Sequence, residues 1–144
     1  MKSNFIDELI EYRNNDFDEV HEFVTLKNGK TAIMFYPRSV DYSINITIFI
    51  GKEYCRLLAG YNDRNKHVNL GDIQVLQNDL MGIGIGTILV EKLIEIAKKE
   101  KALKITGWMR YESEKQKQRQ MAFYNKNGFT IDEKENLLYE ISYE

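Results

Sequence analysis

The sequence predicts a mixed α/β fold: a central, mostly antiparallel sheet with one βαβ crossover and helices on both faces. Isoleucines alternate with other residues through 43–50, and 54–61 provides a return partner, which predicts antiparallel strands. A short apolar strand at 68–76 precedes a glycine-rich turn and a segment with apolar residues at helical spacing. Residues 103–109 follow that helix as a strand, so strand, helix and strand form a right-handed crossover with parallel strands.

The elements before this core are a helix and a hairpin. Residues 5–13 have the pattern of an amphipathic helix, with Ser3 or Asn4 as its cap and Asn14-Asn15 as its end. Asn28-Gly29 lies between two strand-like runs and predicts a two-residue hairpin turn, in which both residues adopt positive φ. The sequence leaves open whether residues 17–22 form a second short helix.

The elements after the crossover are a helix and two strands. Residues 113–126 are charged and glutamine-rich, yet most are good helix formers, so they predict a helix with Gly128 at its C′ position. Residues 129–131 and 137–141 then close the sheet as strands around an acidic turn.

Size and composition indicate one soluble domain spanning residues 1–144. The formal net charge is −2 and the basic residues are scattered, which argues against nucleic acid or a membrane surface as the main partner. Cys55 is the only cysteine, and no stretch approaches the roughly 18 apolar residues of a membrane span. We therefore expect a cytoplasmic protein. The exposed edges of a small mixed sheet also allow a homodimer.

The chemistry of the chain centres on the glycine-rich stretch at 81–87, which joins the strand to the central helix. The first turn of a helix carries amide groups without partners, and glycines let an anion approach them, so this stretch predicts a phosphate cradle. A P-loop would need a lysine where Thr87 and Ile88 follow Gly86, and a dinucleotide fold needs a different glycine spacing. Neither motif fits.

Two segments, Gly82-Ile83-Gly84-Ile85-Gly86-Thr87-Ile88-Leu89 and Ala122-Phe123-Tyr124-Asn125-Lys126-Asn127-Gly128-Phe129, together resemble the GCN5-related N-acetyltransferase (GNAT) superfamily. The resemblance covers about residues 68–131. It implies acetyl-CoA as cofactor and transfer of its acetyl group to an amine, by direct attack in a ternary complex. The sequence departs from the family's pyrophosphate motif at Met81, where Arg or Gln is usual.

The resemblance also implies which residues form the site. The pyrophosphate would lie on the main chain of the seven-residue stretch Met81, Gly82, Ile83, Gly84, Ile85, Gly86 and Thr87. The amide-rich pantetheine arm would pair with the strand edge at Val75, Leu76 and Gln77. Lys117 stands where the family often has a cofactor-contacting asparagine; it either reaches a phosphate or is solvated.

Tyr124 occupies the motif position of the proton donor, which would protonate the departing thiolate. The general base is less defined: Asp72, Glu53 or a chain of waters could take the proton from the ammonium group of the acceptor. Trp108 could line an acceptor pocket, but core packing is favoured.

Several residues are not expected to react. His21 and His67 lack metal-ligand spacing and are expected at the surface, and Cys55 is expected in the core. Two other functions stay open: a non-catalytic acyl-CoA-binding or structural module of the same fold, and a nucleotide-binding protein of another α/β family. The acceptor amine, from a small molecule or a peptide, is not specified. The early hairpin stands where the family has a helix pair, which predicts an open acceptor cleft.

Overall fold

The computed structural model describes residues 5–75 and 84–143, which form three helices and eight strands. In chain order the elements are α1 (Phe5–Asp16), β1 (Glu19–Thr25), β2 (Thr31–Pro37), β3 (Ser43–Ile50), β4 (Glu53–Asn62), β5 (His67–Val75), α2 (Ile85–Lys99), β6 (Lys104–Trp108), α3 (Glu114–Lys126), β7 (Thr130–Ile131) and β8 (Asn136–Glu140). The proposed capping residues Ser3 and Asn4 lie outside the described residues.

All strands belong to one sheet with the order β1-β2-β3-β4-β5-β6-β8-β7. The pair β5–β6 is parallel and the other neighbouring pairs are antiparallel. Because α2 connects the parallel pair, the strand–helix–strand crossover is confirmed, and with it the predicted mixed α/β fold.

Helices cover both faces of the sheet, as residues of β3 show. Ile44, Ile46 and Ile48 are fully buried in the large core that includes α2. Phe49 points the opposite way and packs with Ile33, Phe35 and the apolar side of α1 in a smaller cluster. Adjacent residues of a strand face opposite sides, so α1 and α2 pack on opposite faces.

The β1–β2 connection differs from the predicted two-residue turn. Leu26 and Lys30 close it through a bond of 2.9 Å from the Leu26 N–H to the Lys30 carbonyl, which leaves a three-residue loop. Within that loop Gly29 has φ 84°, whereas Asn28 is not in the positive-φ region. A three-residue hairpin loop needs a left-handed residue only at its last position, which is why one glycine suffices. Residues 17–22 do not continue the helix, because β1 begins at Glu19.

Lys92 departs from the helical spacing of α2, which predicts that it lies on the polar face of that helix. Its side chain is instead only 8% exposed. Its ammonium lies 2.5 Å from Glu22 Oε1 and 2.9 Å from Glu95 Oε2, and 4.4 Å from the centre of the Tyr36 ring. Burial alone would lower the pKa of Lys92, but the hydrogen bonds to the two carboxylates raise it above its usual value. Glu22 comes from β1, so only the tertiary fold supplies this partner.

The helix that carries Tyr124 agrees with the prediction for 113–126. Ser113 is the N-cap of α3, and its hydroxyl accepts a bond of 3.1 Å from the Gln116 N–H. Gly128 follows the C-cap Asn127 with φ 91°, a left-handed conformation that costs glycine nothing. Tyr124 and Phe123 lie in the last turns of this helix and pack against the core shared with α2.

Candidate active site

The site begins where the two parallel strands separate. β5 and β6 pair through three residues only, His67 with Lys104, Val68 with Ile105 and Asn69 with Thr106. From there β5 stays with β4 as far as Val75, while β6 stays with β8. In the described part of the chain, the edge of β5 after Leu70 therefore has no strand partner, and its main-chain groups are open to a ligand.

Two glycines shape this opening. A Cβ on Gly107 would lie 2.9 Å from the Leu70 carbonyl oxygen, so the strands touch at this last point before they part. Leu58 pairs with Asp72 and Ala59 pairs with Leu70, which leaves Gly71 as an extra residue in a β-bulge. The bulge redirects the part of β5 that carries Asp72.

A cleft of about 510 Å³ occupies the opening. β5, the N-terminus of α2, the end of β6 and α3 contribute most of its walls. Its lining residues are Lys27, Leu70, Gly71, Asp72, Ile73, Gly84, Ile85, Gly86, Thr87, Trp108, Arg110, Gln116, Arg119, Gln120, Phe123, Tyr124 and Lys126.

The N-terminus of α2 supplies hydrogen-bond donors to this cleft. Gly84 is the N-cap with φ 88°, and Ile88 donates the first helical bond to its carbonyl at 3.1 Å. The N–H groups of Ile85, Gly86 and Thr87 consequently have no acceptor within the helix. Gly86 also has a packing role, because a Cβ there would lie 2.9 Å from Cε1 of Phe123. The packing of α3 against α2 therefore requires a glycine at position 86.

The charge of the cleft suits an anion. Four cationic side chains line it, Lys27, Arg110, Arg119 and Lys126, and Asp72 is the one carboxylate among its described lining residues. A cofactor with phosphate groups fits such a set, since the helix N-terminus adds its own partial positive charge. Coenzyme A combines phosphates with an amide-rich arm, so the helix end and the open strand edge together fit it.

Tyr124 lines the cleft with its phenol held in the protonated form. Burial, and secondarily the negative charge of Asp72, raise the pKa of Tyr124 to about 12. Its ring is fixed by edge contacts with Phe123 at 5.2 Å and Phe129 at 5.5 Å between ring centres. The hydroxyl is therefore protonated at neutral pH.

Asp72 faces the other side of the sheet. Asp72 pairs with Leu58 of β4, and paired residues lie on the same face of a sheet. Leu57, which precedes Leu58, is buried in the core that includes α2. Adjacent strand residues face opposite sides, so Leu58 and Asp72 point away from α2. The Gln74 amide donates a bond of 3.2 Å to Asp72 Oδ2, and Arg56 Nε donates one of 2.7 Å to Gln74 Oε1. Tyr124 packs against the core on the α2 side, so the two groups approach the opening from opposite faces.

A family model described as "Acetyltransferase (GNAT) family" matches residues 6–129. The chain belongs to the GNAT acetyltransferase family. Acetyl-CoA is the cofactor of this family. Among curated proteins no sequence matches this GNAT chain.

Solved structures share the GNAT fold at low sequence identity. The GNAT domain of S. lividans PAT has a TM-score of 0.66 at 11% identity, over 84% of this chain and 97% of that one. PaiA N-acetyltransferase from Thermoplasma acidophilum, in complex with coenzyme A, has a TM-score of 0.58 at 15% identity, over 69% of this chain and 62% of that one. A Bacillus subtilis acetyltransferase in complex with CoA has a TM-score of 0.57 at 22% identity, over 70% and 78%.

The structure brings together part of the predicted GNAT site. Asp72, Tyr124 and the described part of the glycine-rich stretch line one cleft. Val75 is the last residue of β5, on the strand whose edge is open. The predicted positions Leu76, Gln77, Met81, Gly82 and Ile83 lie outside the described residues.

Lys117 is not among the residues that line the cleft. Its ammonium is 3.9 Å from Glu135 Oε2 and 5.5 Å from the centre of the Tyr111 ring. Those neighbours come from the loop before α3 and the turn before β8.

Sequence reasoning missed the cations of the cleft and misjudged Trp108. Trp108 is 57% exposed and lines the cleft, with the Arg110 guanidinium 4.8 Å from its ring centre, so the favoured core location is wrong. Trp108 is exposed because it is the last residue of β6 and lies beyond the residue pairs that join β6 to β5. Those pairs bury Ile105. The available signal for the cations was the basic, glutamine-rich character of α3, whose Arg119 and Lys126 reach the cleft.

Cys55 is fully buried in the core, as predicted. His21 is half-buried, with its ring centre 5.9 Å from that of Phe23. Within the described residues there is no cluster of three or more potential metal ligands. Neither is any described helix long and apolar enough to cross a membrane.

The raised pKa of Tyr124 predicts a loss of stability at alkaline pH. Between about pH 10 and 12 the unfolded chain ionises this phenol while the folded protein keeps it protonated. The folded state then binds more protons, so the free energy of unfolding falls as pH rises through this window. We expect Tyr124 to account for about 1.4 kcal/mol of loss between pH 9 and pH 11.

Urea unfolding at the two pH values, on the natural protein and on Tyr124→Phe, measures this contribution. The phenylalanine variant should lose about 1.4 kcal/mol less than the natural protein, because every other titrating group is common to both. Equal losses would contradict a perturbed Tyr124.

Proposed function

We propose that this GNAT protein is an N-acetyltransferase, which moves an acetyl group from acetyl-CoA to the amine of a small molecule or peptide by direct attack in a ternary complex. One observation carries the proposal. Tyr124, a protonated phenol, and Asp72, a carboxylate, line one cleft from opposite faces of a sheet that opens between them. Direct acyl transfer needs a base where the nucleophile enters and an acid where the leaving group departs.

The chain's own groups would bind the cofactor in two ways. The N–H groups of Ile85, Gly86 and Thr87, with the cations of the cleft, would hold the diphosphate. The unpaired edge of β5 would form strand-like hydrogen bonds with the amides of the pantetheine arm. Bound acetyl-CoA supplies an acetyl thioester, which is the electrophile of the reaction.

Asp72 and Tyr124 would each handle one proton. Asp72 takes a proton from the ammonium group of the acceptor, so that a neutral amine faces the opening. The Tyr124 hydroxyl would donate its proton to the sulfur as the carbon–sulfur bond breaks, so that a thiol rather than a thiolate leaves. The nitrogen that has bonded to the acyl carbon would lose its second proton to the Tyr124 oxygen, directly or through water, which restores the phenol. Main-chain N–H groups along the open edge of β5 would polarise the acyl oxygen. Gln74, which bonds to both Asp72 and Arg56, holds the carboxylate in position.

The acceptor would enter on the face that carries α1. Asp72 points to this face, and α1 packs over Ile33, Phe35 and Phe49, which lie two or more strands away from β5. A short hairpin loop joins β1 to β2, so no helix from that connection covers the entrance. We propose that this open approach admits a peptide amine as well as a small molecule.

A cytoplasmic location and a homodimer remain part of the proposal. The single cysteine suits a reducing compartment. β1 and β7 form the two edges of the sheet, and either could pair with a second copy.

Release of free thiol from acetyl-CoA tests the function. The purified protein is incubated with acetyl-CoA and a panel of small amines, peptide N-termini and lysine peptides. We expect acceptor-dependent thiol release, and a mass increase of one acetyl group on the amine that is consumed. Binding of CoA without turnover on any acceptor would favour the non-catalytic module. Stronger protection against thermal unfolding by ATP or NAD than by CoA would favour a nucleotide-binding protein instead.

A further inference from the structure

We propose that Lys27, in the β1–β2 loop, is a ligand for the diphosphate of coenzyme A and acts together with the N-terminus of α2. The proposal rests on the proposed function, since it concerns the same cleft. It assigns a cofactor contact to an element far from the glycine-rich stretch in sequence. The usual side-chain donor of that stretch is absent here, because position 81 is a methionine.

The stem of Lys27 lies along Gly84. An ideal Cβ on Gly84 would be 3.4 Å from Cγ, 3.5 Å from Cε and 3.6 Å from Cδ of Lys27. Three methylene groups therefore follow the N-cap of α2 closely. The Cε atom of Lys27, which carries the ammonium group, therefore lies beside the N-terminus of α2. The first N–H groups of that helix have no acceptor within it. A phosphate on those N–H groups would come within reach of the lysine.

The loop that carries Lys27 is anchored. Leu26, the preceding residue, is only 3% exposed and belongs to the large core. Its N–H donates to the Lys30 carbonyl and its carbonyl accepts from the Gly29 N–H, both at 2.9 Å. The backbone of Lys27 is thus held between a core residue and a closed turn. A lysine whose backbone is fixed loses less conformational freedom when it binds a ligand than a lysine on a mobile loop.

The charge of Lys27 is available. In the described part of the chain its ammonium forms no ion pair, in contrast to Lys92, which two carboxylates neutralise. Arg119 and Lys126 line the same cleft from α3. Lys27 therefore contributes a cation from the β1–β2 loop, whereas Arg119 and Lys126 belong to α3. A lysine ammonium beside a helix N-terminus would form charge-assisted hydrogen bonds with a diphosphate held there.

The test compares Lys27→Ala with Lys30→Ala, the matched control on the same loop. Both lysines are exposed, and Lys30 does not line the cleft. Calorimetry measures the dissociation constants for CoA, for 3′-dephospho-CoA, which keeps the diphosphate, and for pantetheine, which has no phosphate. We expect Lys27→Ala to weaken both CoA and dephospho-CoA about tenfold, and to leave pantetheine unchanged. Lys30→Ala should bind all three as the natural protein does.

Charge rescue and salt provide a second readout. Lys27→Arg keeps the positive charge and should restore most of the affinity for CoA. The difference between Lys27→Ala and the natural protein should shrink at high ionic strength. Unchanged CoA affinity in Lys27→Ala would overturn the assignment, and so would a loss confined to CoA, which would place Lys27 on the 3′-phosphate. If the natural protein itself takes up no CoA, the proposed function fails and this proposal falls with it.

Discussion

The Tyr124→Phe variant is expected to lose about 100- to 1,000-fold in kcat with acetyl-CoA while its dissociation constant for CoA stays the same. The change removes one hydroxyl from a ring held by Phe123 and Phe129, so the packing of α3 is preserved. Without the phenolic proton, the sulfur must leave as a thiolate or wait for water. Steady-state thiol release gives kcat, and calorimetry with CoA gives the affinity.

A fall in affinity together with kcat would mean that Tyr124 holds the cofactor rather than protonating it. Unchanged kcat would remove Tyr124 from the chemistry altogether. The high pKa adds a further constraint: the natural enzyme should show no loss of kcat from ionisation of this phenol below about pH 10, because its pKa is raised to about 12.

The Asp72→Asn variant separates the base from the acid. If Asp72 accepts the ammonium proton, its loss should lower kcat/KM for the acceptor at neutral pH by about 100-fold, within the range of general base catalysis. Raising the pH supplies neutral amine from solution, so the deficit of Asp72→Asn should shrink towards the pKa of the acceptor. The deficit of Tyr124→Phe should not shrink in this way. A pH-independent deficit in Asp72→Asn would indicate that a water chain or another residue is the base.

The Gly107→Ala variant is expected to lower the free energy of unfolding by about 2 kcal/mol. The new methyl group would lie 2.9 Å from the Leu70 carbonyl oxygen, which is main chain and cannot rotate away. β5 and β6 would have to separate earlier than they do, and the pair Asn69–Thr106 is the first to be affected. Urea unfolding with a linear extrapolation measures the loss.

Gly60→Ala is the matched control on the neighbouring strand β4. A Cβ at Gly60 meets the Tyr42 carbonyl oxygen at 3.6 Å, an ordinary contact. This variant should be neutral or slightly more stable, since alanine reduces the freedom of the unfolded chain. Equal stability of the two variants would show that the close approach of β6 to β5 is not required.

Much of the architecture was readable from local patterns. The isoleucines of β3 alternate because one face of that strand is buried beneath α2, and period-two alternation has no other common origin. The end of α3 was predictable because Gly128 takes a left-handed conformation that favours glycine. Tyr124 was identified by its motif position and lines the cleft, and its role as proton donor stays a prediction.

Other features depend on residues that are distant in sequence. Lys92 sits on the polar face of α2 by helical pattern, and its burial depends on Glu22, which approaches from β1, as well as on Glu95 of the same helix. Trp108 reads as a strand residue, and its exposure follows from the point at which β5 leaves β6. Local composition contains no information about either neighbour.

The sequence by itself determined the order of elements, the glycine-rich start of α2 and the family, because periodicity, turn chemistry and short motifs are local properties. Only the tertiary structure decided that β5 and β6 part after three residue pairs and that Asp72 and Tyr124 reach the opening from opposite faces. It also brought Lys27 against Gly84. The physical reason is common to all three: strand pairing and packing set distances between residues that are 37 to 57 positions apart, and charge and burial follow from those distances.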